Sequence, residues 1–172
     1  MLRIIAIFYI FSYMRINIVA IGKVKDKFLQ DGISFYLIKL KSYADVRIIE
    51  VPDSPVRDNP NSFDIEKAKN SEGEKVLKQL KPSDFVINLD LNKKEMTSEE
   101  FSSFMIDSLV KGGSQIFFVI GGSYGLSDDL KKRANASISL SQMTFLHQMT
   151  RLILLEQIYR GFKIYSHETY HK

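Results

Sequence analysis

The sequence predicts an α/β protein: one domain built on a mostly parallel sheet with helices on both faces. Three observations carry the prediction. Short runs rich in Ile, Val or Phe alternate with longer segments of helical period, the pattern of strand–helix–strand crossovers. The chain has 172 residues, 45% of them hydrophobic, which is enough for a single sizeable core. A late apolar run, Ile116-Phe117-Phe118-Val119-Ile120, breaks directly into Gly121-Gly122-Ser123-Tyr124-Gly125. Three glycines in that short stretch let the backbone turn sharply and come close to a ligand where a side chain would clash.

The elements follow in order. Predicted strands are Arg15–Ile21, Val46–Val51, Phe85–Leu89, Gln115–Ile120 and Ala136–Leu140, each short and bounded by Gly, Pro, Asp or Lys. Predicted helices lie between them at about Asp26–Lys41, Asp64–Leu80, Ser98–Lys111, Ser127–Arg133 and Phe145–Phe162. Thr97 or Ser98 is placed to cap the third helix, with Glu99 and Glu100 in the first turn, where carboxylates favour the positive end of the dipole. Gly112-Gly113 stops that helix, Ser127 caps the next ahead of Asp128-Asp129, and Pro82 is expected to end the second. Pro52 to Ser62 holds three of the four prolines and reads as an exposed loop. The last helix carries apolar residues at Leu152, Leu155, Tyr159 and Phe162, widened by Ile153, Leu154 and Ile158. That is more than one face of a small sheet needs: the helix is either fully buried in the core or, the sharper reading, buried half in its own core and half in a dimer interface.

Composition excludes several chemistries. With no cysteine there is no disulfide framework, thiol nucleophile or thiolate zinc site, and three histidines, His147, His167 and His171, make a poor basis for a metal centre. The net charge of +4 mildly favours a polyanionic partner. Residues 1–13 form an apolar stretch about half as long as the roughly 20 residues that span a bilayer, with no small-residue cleavage site behind it. No membrane segment is expected. Met14 opens the first strand, so residues 1–13 read as a non-native extension from an upstream start codon, and 14–172 as the domain.

The glycine turn admits several readings. It lacks the Gly-x-Gly-x-x-Gly of a dinucleotide site and the Gly-Lys-Ser/Thr of a phosphate loop. It does match Gly-x-Ser-x-Gly, the nucleophile elbow of serine hydrolases, with Ser123 as nucleophile. Too little chain follows to place an orienting acid and a histidine on further strands, and Asp128 and Asp129 open the next helix. A second block, Ser139 to Arg151, sets hydroxyls, His147 and Arg151 among apolar residues, as a small-molecule pocket beside a cationic surface would.

Five blocks, in order and spacing, carry a family resemblance. They are Leu89-Asp90 before Thr97-Ser98-Glu99-Glu100-Phe101; Ile120-Gly121-Gly122; Leu140-Ser141-Gln142-Met143-Thr144-Phe145 with His147-Gln148; Glu156-Gln157-Ile158-Tyr159-Arg160; and Tyr170-His171-Lys172. From about Met14 onward the chain resembles the RlmH family, SPOUT-class methyltransferases acting on N3 of a pseudouridine in bacterial 23S ribosomal RNA. The resemblance implies a C-terminal trefoil knot, which no sequence pattern would suggest. It implies S-adenosyl-L-methionine held in the knotted region by Leu89, Gly121, Leu140, Ser141, Gln142, Met143, Thr144 and Phe145. Without the neighbouring glycines, Leu89, Leu140 and Phe145 would read as plain core residues. It also implies the assembled ribosome as substrate, a homodimer whose second subunit completes the site, and a cytoplasmic location.

Methyl transfer to that nitrogen requires its proton to leave. His147, Tyr170 and His171 are candidate acceptors, and Arg151 and Arg160 are candidates to hold phosphate or stabilise the developing anion. A non-catalytic ribosome-binding protein is the remaining alternative. The chain departs from the family pattern at Lys93, usually Gly; at Leu146, usually Pro; and at Thr169 before Tyr170-His171. These departures put loop geometry in question. N-terminal sequencing of natively expressed protein should begin at Met14; a mature start inside residues 1–13 would refute the extension.

Overall fold

A computed structural model describes residues 13–169. The terminal tripeptide Tyr170-His171-Lys172 and residues 1–12 of the expected extension lie outside the described residues. Five parallel strands form one sheet in the order β2-β1-β4-β3-β5: β1 Arg15–Ile21, β2 Asp45–Val51, β3 Phe85–Leu89, β4 Gln115–Ile120 and β5 Ala136–Ile138. The helices are α1 Lys27–Leu40, α2 Ser62–Leu77, α3 Ser98–Lys111, α4 Asp128–Arg133 and α5 His147–Tyr165.

The central strands read as continuous apolar runs because both their faces are covered. Ile16, Ile18, Ala20, Ile87, Ile116 and Phe118 join Leu40, Met105, Leu109, Leu154, Leu155, Ile158 and Phe162 in the larger core, under α1, α3 and α5. On the opposite face Val19, Ile21, Val86, Phe117 and Val119 pack with Val76 and Leu130 from α2 and α4. Edge strand β2 is only partly covered: Val46 and Ile48 pack on one core and Ile49 and Val51 on the other, while Asp45, Arg47 and Glu50 are exposed.

Helix starts follow the expected chemistry. Thr97 caps α3 in a reciprocal box: its hydroxyl accepts from the Glu100 amide, and the Glu100 carboxylate accepts from the Thr97 amide. Asn61 and Asp64 make the same box at α2, so that helix begins at Ser62, two residues ahead of expectation. It also ends earlier, at Leu77, with single turns carrying the chain to Leu80; Pro82 lies beyond the true end. The last helix is shifted, starting at His147 instead of Phe145 and running on to Tyr165. β5 stops at Ile138, because Ser139 pairs with the loop at Lys94 and Glu95 instead of with strand β3. Gly73 marks where α2 meets α4: a Cβ there would collide with the Ser127 side chain that caps α4.

The structure corrects the expectation for α5. Ile158 and Phe162 are fully buried within the chain and Tyr159 nearly so, because α5 packs between α1 and α3. The apolar face left open belongs mainly to α1, where Phe28, Phe35 and Ile38 are 63%, 51% and 65% exposed. Among the described residues no helix is long and apolar enough to cross a membrane. An Ile158→Asp substitution, which would convert a folded dimer to monomer if Ile158 lay at an interface, should instead unfold the chain by placing an unpaired charge in the core. Loss of the cooperative urea transition would show it; a folded, monomeric variant would contradict the packing.

Candidate active site

The parallel register brings the carboxyl ends of the strands together: Ile21 pairs with Val51, Ala20 with Ile120, and Leu89 with both Ile120 and Ile138. Ligand sites of parallel sheets form at this edge. A cavity of about 570 Å³ opens there, within the usual range for small-molecule sites. Three chain segments wall it: 89–92 after β3, 120–126 after β4, and 139–147 leading into α5.

The turn after β4 is built on glycine geometry. The Gly125 amide donates to the Gly122 carbonyl at 3.0 Å, and Gly125 has φ +84°, which a side chain disfavours. A Cβ on Gly121 would stand 2.9 Å from the Gly125 carbonyl carbon. Glycine at 121 is therefore needed by the turn itself, in addition to any ligand that approaches it.

The other two walls are tied to each other. The Asp90 amide donates to the Ile138 carbonyl at 2.9 Å, and the Ser139 amide to the Lys94 carbonyl at 3.1 Å. The Asp90 carboxylate accepts from the Asn92 amide, and the Lys93 amide donates to the Asp90 carbonyl, so this turn closes with Lys93 in place of the family's glycine and without positive φ there. Ser139 Oγ donates to the Ser141 carbonyl and Ser141 Oγ accepts from the Met143 amide, which folds segment 139–146 on itself. Leu146 has φ −56°, within the range proline would impose, so the entry to α5 keeps its direction without proline.

Of the sequence-predicted cofactor residues, Leu89, Gly121, Leu140, Ser141, Thr144 and Phe145 line the cavity, and His147 joins them. Gln142 and Met143 lie on the outer side of the segment, Met143 being 69% exposed. Tyr124, already part of the glycine turn read in the sequence, also lines the cavity, and so do Asn92, Lys69 and Thr150, which the sequence did not single out. Thr150 was discoverable, one helical turn after His147. Lys69, arriving from α2, has no local signal.

Arg151 is fully buried despite its charge. Its guanidinium donates to the carbonyls of Ile21 and Gly22, both at 2.8 Å, and to Glu50 at 2.8 Å. Burial pulls its pKa down, and Glu50 opposes that shift. His147 stands beside it: Nε2 lies 3.4 Å from where a Cβ on Gly22 would be. Burial lowers the His147 pKa, the Arg151 charge lowers it further, and Asp53 acts in the opposite direction. The imidazole is thus neutral at physiological pH and able to accept a proton. Glu50, the partner that makes Arg151 tolerable, was not picked out in the sequence. Arg160, on the same helix, pairs with Glu156.

The hydrolase reading does not survive the geometry. A nucleophile elbow holds its serine at strained, positive φ on a strand-to-helix turn. Ser123 has no positive φ, and α4 starts only after Ser127. Among the described residues no group of three or more acidic or histidine side chains is placed to hold a metal ion.

A five-stranded parallel sheet with a glycine-walled cavity at its carboxyl edge, bounded by the segment that leads into the last helix, is an architecture found in a class of methyltransferases. Over residues 14–171 the chain matches the family described as "Predicted SPOUT methyltransferase", and it belongs to that family. The class uses S-adenosyl-L-methionine as methyl donor. The chain is 47% identical over 159 residues to the ribosomal RNA large subunit methyltransferase H of Carboxydothermus hydrogenoformans, covering 92% of this chain and all of that protein. The protein of the same name from Alkaliphilus oremlandii is likewise 47% identical, and that from Enterococcus faecalis 43%, each over the same shares.

Gly121→Val should leave the sheet folded but break the turn, weakening S-adenosylmethionine binding at least a hundredfold by calorimetry, about 2.7 kcal/mol. Unchanged affinity would show that the turn does not form the binding wall.

Proposed function

We propose that this protein methylates N3 of a pseudouridine in the large-subunit ribosomal RNA, acting on the assembled ribosome in the cytoplasm as a homodimer. The domain comprises residues 14–172. The observation that carries the reading is the cavity walled by Leu89, Gly121, Leu140 and Phe145 at the sheet's carboxyl edge. It is mainly apolar, which suits an adenine, and the exposed backbone of the Gly121 turn and segment 139–146 offers amides and carbonyls to that ring's edge. The bracketing of segment 139–146 between loop 90–97 and turn 121–125 supports the trefoil knot of the family.

Bound S-adenosylmethionine supplies an electrophilic methyl group on a sulfonium. The chain's own part is to position the nucleotide and take its N3 proton. His147 borders the cavity and is held neutral, so it is the acceptor the site favours. Arg151, with both terminal nitrogens engaged, fixes the loop beneath His147 and adds to the burial that disfavours a charged ring there. Tyr170 and His171 are assigned to the nucleotide side.

Chain reach supports the homodimer. The 19-residue helix α5 carries the chain about 28 Å away from the cavity. At its far end the Tyr43 hydroxyl donates to Glu168 at 3.0 Å, and the Glu168 amide donates to the Lys163 carbonyl. In the proposed dimer Tyr170 and His171 are assigned to the partner's cavity, because α5 leads the described chain away from its own. The exposed apolar face of Phe28, Phe35 and Ile38 on α1 is the surface that pairs the copies.

Ribosomes from a strain lacking this protein should take label from S-adenosylmethionine into the large-subunit RNA, at a pseudouridine identified by mass spectrometry. Tyr170→Phe/His171→Ala and Gly121→Val should each be inactive alone, yet mixed and reassociated they should recover roughly a quarter of the wild-type rate, because half the dimers are mixed and each restores one site. No recovery would place the tail in cis. Because the His147 pKa is lowered, the neutral form is already dominant above pH 6.5, and the acid limb of the rate should fall below that value. A limb centred above pH 7 would exclude His147 as the acceptor.

A further inference from the structure

One buried acid has no part in the reading above. Glu72, on α2, is 4% exposed, a depth at which a carboxyl is almost always paired. Its Oε1 accepts from the Ser54 amide at 2.8 Å, whereas Oε2 is sealed from solvent with no hydrogen-bond partner. That free oxygen is aimed at the cofactor turn: a Cβ on Gly122 would stand 2.7 Å from it, and 3.2 Å from Ile21 Cγ2. The space a side chain at 122 would need is thus taken by the Glu72 carboxyl and by Ile21 of strand β1. Nearby, Lys75 Nζ donates to the Pro52 carbonyl and to Ser54 Oγ, and Ser54 Oγ lies 3.1 Å from Ser71 Oγ. One turn of α2 therefore grips loop 52–54 on one side and supports the glycine turn on the other. Burial raises the Glu72 pKa; the Ser54 amide and Lys75 act against that shift, and Asp53 with it.

Resting on the SPOUT methyltransferase reading, we infer that Glu72 is a positioning residue for the cofactor site: its carboxyl is the strut that holds the Gly121–Gly122 backbone against the cavity and ties it to loop 52–54. It touches neither cofactor nor nucleotide. It acts through Gly122, and glycine is required at 122 because Glu72 occupies the space where a Cβ would go. The strut works by shape and hydrogen bonding and not by negative charge, so the neutral isostere should replace it.

The test is a set of purified full-length variants, assayed by calorimetry with S-adenosylmethionine and by turnover on undermethylated ribosomes. Glu72→Gln should bind within threefold of wild type. Glu72→Ala should bind at least tenfold more weakly and raise KM for the cofactor, with kcat at saturating cofactor within twofold. A merely structural residue would lower the melting temperature without that split. Gly122→Ala should weaken binding at least tenfold in the wild-type background and no further in the Glu72→Ala background. If Glu72→Ala does not fold, Glu72→Asp, which withdraws the carboxyl by one methylene, takes its place in the cycle. Wild-type affinity in the folded Ala or Asp variant would overturn the proposal, and so would a Gly122→Ala effect that simply adds to the Glu72 effect. If wild-type protein binds no S-adenosylmethionine, the methyltransferase reading fails. In that case the same cycle read by thermal denaturation still decides whether Glu72 and Gly122 are coupled, and additivity there would overturn the strut.

Discussion

The buried guanidinium of Arg151 is the contact on which the carboxyl edge of the sheet depends. It stands one turn into α5 and reaches back across 130 residues of sequence to the carbonyls of Ile21 and Gly22, the last backbone groups of β1. Buried backbone carbonyls at the end of a strand need donors, and the guanidinium supplies them here. Glu50 at the end of β2 takes the remaining terminal nitrogen and also accepts from the Val24 amide. One side chain thus joins the first strand, the second strand, the loop between β1 and α1, and the last helix. Removing it takes the guanidinium donors from two backbone carbonyls and the cation from Glu50, on the order of 3 kcal/mol, so a requirement for Arg151 in activity would by itself say nothing about catalysis.

Everything at the site is arranged around that joint. Gly22 has φ +85° and lies against both Arg151 and His147, so the first loop can pass close beneath the start of α5. Gln148, the next residue on the helix, accepts from the Lys25 amide, and Gln30 donates to the Val24 carbonyl; both fix the loop between β1 and α1. The charge that secures the loop also sets the chemistry of its neighbour. Burial first, and the fixed cation beside it second, disfavour a charged His147, which keeps the imidazole available as an acceptor.

Much of this was legible in the sequence, for identifiable reasons. All five strands were, because runs such as Ile116–Ile120 are apolar on both faces and so short that only a parallel, doubly covered sheet uses them well. The capping box at Thr97 follows from residue types three positions apart. The α2 box was missed because Asn61 and Asp64 sit in a proline-rich stretch that masks a helix start. The burial of Ile158 and Tyr159 was misjudged for a different reason. A stripe wide enough for two partners does not say whether they come from one chain, and here they are α1 and α3. Within the site, neighbours in sequence were readable, such as the glycine turn and segment 140–145. Glu50, Glu72 and Lys69 were not, because each reaches the site only through long-range packing.

The departures from the family pattern show which constraints the fold enforces. Proline before His147 would fix φ, yet Leu146 holds a φ proline would accept, because the Thr150 amide and hydroxyl both donate to its carbonyl and lock the first turn of α5. Lys93 replaces glycine in a turn already closed by the Asp90 side chain, so no left-handed residue is required there. At Gly121 and Gly122 no such latitude exists. An added methyl at either meets backbone or a buried carboxyl at under 3 Å. The residues free to vary are those whose geometry is imposed by neighbouring hydrogen bonds. The invariant demands fall where two backbones, or a backbone and a buried acid, share the volume a side chain would need.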